Sequence, residues 1–133
     1  MNAFAAINAY NDVGLETSVM SADPHKLIAL LFDGALIAIA KAKGEIRNKQ
    51  IAEKGRSISK AIAIIGEGLL SSLDKKAGGE LAEQLAGLYA YMVRRLTAAN
   101  IDNDVAALDE VYGLLGQLKE AWDTIRPQVV PSR

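Results

Sequence analysis

Apolar residues along the chain recur in steps of three and four, and nowhere alternate as a half-buried strand requires. The first strong block is "DPHKLIALLFDGALIAIAKA", residues 23–42. Asp23 suits a helix cap and Pro24 the first helical position, so a helix is expected from Pro24 to about Arg47, with "NKQ" as the break. Leu27, Ile28, Leu30, Leu31, Phe32, Leu36, Ile37 and Ile39 make it apolar nearly all round, whereas an ordinary surface helix has one apolar stripe. One small core cannot take all of them, and the pattern poses the question of what covers the rest.

Three further blocks follow. Ile58, Ile62, Ile65, Leu69 and Leu73 predict a second helix from about Ala52 to Leu73, weakened by Gly55, Gly66 and Gly68 at roughly 1 kcal/mol each relative to Ala. "DKKAGGE" reads as a turn in which Gly78 and Gly79 are free to take positive φ. Leu81, Leu85, Leu88, Met92 and Leu96 predict a third helix from about Glu80 to Ala99, with Asn100 as its C-terminal cap. Asp102 or Asn103 then starts a fourth, carried by Val105, Leu108, Val111, Leu115, Leu118, Trp122 and Ile125. Pro127 stops it at Arg126.

Four helices of ~20 residues, each ~30 Å long and joined by short loops, predict an all-α fold, an antiparallel four-helix bundle. The expected organisation is an N-terminal arm over residues 1–22, flexible or short-helical, a bundle over 23–126 and a loose tail over 127–133.

Composition narrows the function. A length of 133 residues suits one domain, and half the residues are apolar with 23% charged, which marks a globular chain. Net charge −1, from 15 basic and 16 acidic residues, argues against a nucleic-acid binder and against attraction to anionic membranes. With no cysteine, disulfides, thiolate metal sites and Cys nucleophiles are excluded, which fits a reducing compartment. "MNAFAAINAY" has neither a basic n-region nor a long apolar run, as a signal peptide would. Asp33 interrupts the opening block after six apolar residues, well short of the ~20 that a membrane span requires. A soluble, cytoplasmic protein without membrane insertion is expected.

Catalytic and metal patterns are poor. A di-iron bundle needs two Glu-x-x-His pairs, and the chain has one histidine and no such pair. "DNDVAALDE" lacks the glycine and ligand pattern of a calcium loop and reads as a helix start with acids favoured by the dipole. Neither "GEG" at 66–68 nor "GG" at 78–79 has the context of a phosphate cradle. No enzyme activity and no cofactor is expected. His25 raises a rival signalling reading, since phosphotransfer bundles carry one exposed histidine in mid-helix. Here it stands at the second helical position, where a solvated first-turn residue is the expectation.

Residues 9–36, "AYNDVGLETSVMSADPHKLIALLFDGAL", resemble the N-terminal signature of the flagellin-specific export chaperones, the FliS family. "SLDKKAGGELAEQLAGLYAYMVRRLTAANIDND" at 72–104 and "LDEVYGLLGQLKEAW" at 108–122 extend the resemblance over nearly the whole chain. Lys76 and Gln84 depart from it where acidic and Asn residues are common. The resemblance implies a helical bundle that binds the C-terminal region of flagellin in the cytosol, prevents early polymerisation and presents it to the flagellar type III export gate. Export-gate components and a regulator are the further partners in view. It also implies that the arm, through Tyr10 and Val13, covers part of the apolar site in the free protein.

The surplus apolar residues then have a use. If Ile28, Leu31, Ala35, Ile39, Ala42 and Ile46 face the core, Leu27, Leu30, Gly34, Ile37 and Lys41 form an outer stripe. Ile64 and Leu70 on the second helix, and Tyr112 and Leu114 on the fourth, are likewise extra. Apolar surface beyond a few hundred Å² marks a partner site, and a helix in a groove is a common occupant. The candidate partner-binding set is Tyr10, Val13, Leu27, Leu30, Ile37, Ile64, Leu70, Tyr112 and Leu114. A monomer and a weak dimer both stay open.

Overall fold

The computed structural model describes residues 23–125, so the expected arm and tail, with Tyr10 and Val13, lie outside the described residues. Four helices and no strand occur among them: α1 (Pro24–Arg47), α2 (Ile51–Ala63, continuing as a π-helical stretch Ile64–Leu70), α3 (Lys75–Asp102) and α4 (Val105–Thr124). Each helix packs on its two neighbours in a ring, α1 on α2, α2 on α3, α3 on α4 and α4 on α1. Contacts fix the directions. Glu45 near the end of α1 meets Ser57 near the start of α2, Lys54 of α2 reaches Asn100 of α3, and Arg95 of α3 meets Glu110 of α4. Asp33 and Lys43 of α1 pair with Lys119 and Asp109 of α4. Every neighbouring pair is antiparallel, as the short connections require.

The ends follow from local chemistry. Asp23 accepts from the Lys26 amide at 2.7 Å, and Pro24 begins α1. Asp74 accepts from the Lys76 and Ala77 amides and starts α3 five residues before the expected Glu80. The glycine pair still breaks that helix, but by division of labour. Gly79 alone takes positive φ (φ 55, ψ −132), whereas Gly78 is needed because a Cβ there would come within 2.8 Å of Ala82 Cβ. The α3–α4 turn lies later than expected: Asn103, in the left-handed region at φ 54, caps α3 three residues beyond Asn100, and Asp104 caps α4 by accepting from Ala107 N, one residue beyond Asn103.

Leu31, Ile39, Ile58, Ile64, Ile65, Leu69, Met92, Leu96, Leu108, Val111 and Leu115 form the centre of the core. Two phases differ from expectation. On α3 the inward stripe runs through Ala82, Leu85, Tyr89, Met92, Leu96 and Ala99, which leaves Leu81 exposed. On α2, Ile64 and Ile65 both point inward, three and four residues after the buried Ala61, where the i→i+5 winding of the π stretch begins. Two of the three glycines noted in α2, Gly66 and Gly68, sit inside that stretch.

A candidate partner-binding groove beside α1

α1 has two flanks, and they are finished differently. Toward α4 the flank is pinned along its length. His25 and Trp122 stack with ring centroids 4.5 Å apart and planes 7° from parallel. Trp122 Nε1 donates to the His25 carbonyl at 2.9 Å, and His25 Nε2 lies 2.7 Å from the Trp122 carbonyl. That oxygen only accepts, so Nε2 carries the proton. Two turns on, Lys119 bridges Asp33 at 3.5 Å and Asp123 at 2.7 Å, and its pKa is raised chiefly by the Asp123 hydrogen bond. At the far end Lys43 pairs with Asp109. This register sets Ala40 opposite Tyr112 and Leu36 opposite Gly116.

Toward α2 the flank opens. A groove of about 770 Å³ runs between the two helices, with Ile37, Lys41 and Glu45 on the α1 wall and Glu53, Arg56 and Lys60 among those on the α2 wall. Ile37 is 40% exposed, among the large apolar side chains that the bundle leaves to solvent. The wall charges are of both signs: Glu45 accepts from Ser57 Oγ at 2.6 Å, and Arg56 lies 3.5 Å from Glu53. Such a groove offers an apolar contact point within a polar, charge-mixed rim. No group of side chains that could hold a metal occurs among the described residues, and no described helix is long and apolar enough to cross a membrane.

The structure divides the residues expected to bind a partner. Ile37 lines the groove, and Leu27, lower on the same stripe, is half-buried against the core, as is Leu70 at the end of the π stretch. Leu30 does not belong to an outer stripe: it is 6% exposed, and Gly34 is buried beside it. The physical reason is that α1 packs on both α2 and α4, so its buried arc is wider than one stripe. Ile64 is likewise core, because α2 packs on both α1 and α3. Tyr112 is exposed but stands on the α4 flank, and Leu114 packs against the core. His25 is no solvated first-turn residue, being 5% exposed within its stack on Trp122.

Two polar features escaped the sequence reading. Lys54 is buried, and its ammonium donates to the Asn100 carbonyl at 2.7 Å, satisfying an orphan acceptor in the last turn of α3. Tyr91 and Arg95 both donate to Glu110, at 2.6 and 2.7 Å, which lowers the carboxylate's pKa, the Tyr91 bond contributing most. Neither pair is adjacent in sequence, so no local spacing announces it.

The structure is a four-helix bundle with one pinned flank and one open groove that carries an exposed isoleucine on its wall. Its kin make the class specific. A sequence model described as "Flagellar protein FliS" matches residues 6–129. The chain is 47% identical over 128 residues to the flagellar secretion chaperone FliS of Salmonella typhimurium, covering 96% of this chain and 95% of that one. It is 49% identical over 125 residues to FliSB of Pseudomonas aeruginosa, covering 94% and 98%, and 44% identical over 122 residues to FliS of Escherichia coli, covering 92% and 90%. The chain belongs to the FliS family of flagellar secretion chaperones.

Proposed function

We propose that this chain binds the C-terminal region of flagellin in the cytosol, keeps it from polymerising and presents it to the flagellar type III export apparatus, with no catalytic step of its own. The observation that carries the reading is the groove between α1 and α2 with Ile37 exposed on its wall, in a chain whose relatives are flagellar secretion chaperones. An amphipathic helix of the cargo sets an apolar side chain against Ile37 and turns polar residues to the mixed charges of the rim.

The signalling alternative loses its support. Its histidine must meet a phosphoryl donor, and the His25 ring is buried against Trp122 with Nε2 held by a carbonyl. The test is co-purification with flagellin, with and without its C-terminal segment. Retention of the intact protein and loss of the truncated one is the expected result. Equal retention of both would overturn the reading.

A further inference from the structure

The net charge of −1 averages over two halves of opposite sign. Residues 41–60, which span the end of α1, the turn and the start of α2, hold seven lysines and arginines against two glutamates. Residues 102–123, which span the α3–α4 turn and α4, hold six acids against one lysine. In the ring of helices α1 neighbours α2 and α3 neighbours α4, so the bundle has a basic edge and, across from it, an acidic one. Part of the basic edge is already spent. Lys43 pairs with Asp109, and Lys54 is buried on the Asn100 carbonyl. Lys41, Arg47 and Lys49 are exposed and form no ion pair among the described residues. Arg56, with its side chain 71% exposed, only approaches Glu53 at 3.5 Å. Arg47 to Glu53 form an unbroken exposed run over the turn, and Ile51 within it is 54% exposed.

We propose that this basic edge docks on an anionic lipid surface, with the α1–α2 turn foremost. No described helix is long and apolar enough to cross a membrane, so the contact is peripheral. The shape of the edge selects lipid over other anions. A turn at the end of a bundle is convex and gives an acidic peptide no cleft, while Lys41 and Arg56 stand on opposite walls of the groove behind it. Anionic headgroups are laterally mobile and gather under all four charges at once. A single-stranded nucleic acid finds no stacking platform, since no aromatic residue occurs from 33 to 88. Ile51 adds what charge alone lacks, an apolar side chain at the tip for the boundary between headgroups and acyl chains. The acidic edge, repelled by the same surface, orients the molecule. Each exposed base near such a surface contributes about fivefold in partitioning. The field fades within about 8 Å at physiological ionic strength, so docking on these few charges is weak, reversible and salt-sensitive.

Cosedimentation of the full chain with phospholipid vesicles tests this, comparing pure phosphatidylcholine with a mixture containing about one-third phosphatidylglycerol, at low and near-physiological salt. The expected result is binding to the anionic vesicles that falls steeply with salt, and none to the neutral ones. Arg47→Glu combined with Lys49→Glu should lower partitioning at least about tenfold. Ile51→Ser should lower it about threefold at either salt concentration. Lys75→Glu combined with Lys76→Glu, at the opposite end of the bundle, changes the net charge by the same amount and should leave partitioning within about twofold. Circular dichroism confirms intact helices in every variant. Equal losses from the two charge-reversed pairs would make the attraction a matter of net charge and overturn the proposal. So would failure to bind anionic vesicles at low salt. Tighter binding to polyglutamate or to a DNA duplex than to the vesicles also overturns it, because the edge would then serve another kind of anion.

Discussion

The two flanks of α1 are cut from one helix yet built for different ends. Toward α4, specific pairs occupy the seam from His25 and Trp122 at one end to Lys43 and Asp109 at the other. Toward α2, the lower part is closed by Leu30 and Gly34, and the upper part opens beside Ile37. The difference teaches where an apolar surplus goes. A helix that is apolar nearly all round needs cover on more than one side. Here the bundle supplies most of it and leaves a short stretch for a partner.

The largest expected effect falls on the part of the stripe that turned out to be core. Leu30→Lys buries an unpaired ammonium and should cost more than about 3 kcal/mol in chemical denaturation. A variant as stable as the parent would show that this flank is open throughout. Next comes the pinned flank. Trp122→Ala removes the stack and the indole hydrogen bond, while the backbone carbonyl that His25 Nε2 reaches remains, and should cost about 2–4 kcal/mol, with flagellin affinity unchanged in a binding titration at a temperature where the variant is folded. An affinity loss larger than about twofold would mean that the pinned flank takes part in binding. Smallest is Lys43→Ala, which breaks a partly exposed ion pair and should cost no more than about 1 kcal/mol, the cost shrinking in salt.

Much of this was written in the sequence. Helical spacing gave four helices, and Asp23 with Pro24 placed the start of α1 because a cap is a local device. Phase was harder. The outer stripe from Leu27 to Lys41 assumed a single core-facing arc, and the second neighbour of α1 widened it over Leu30. Ile64 is core for the same reason, since α2 packs on both α1 and α3. His25 looked solvated because its cover, Trp122, lies 97 residues away. Of the apolar residues on the α1 stripe, Ile37 is the one that the structure leaves exposed and on the groove wall, a distinction that spacing alone does not make.

The central claim is that cargo binds the open flank and not the pinned one. It is tested most directly by titrating the flagellin C-terminal segment into two variants, Ile37→Lys and Tyr112→Lys. Both side chains are exposed, so both variants should melt with the parent. The account predicts that Ile37→Lys weakens binding at least about tenfold while Tyr112→Lys stays within about twofold. The reverse order, or equal losses in both, would contradict it.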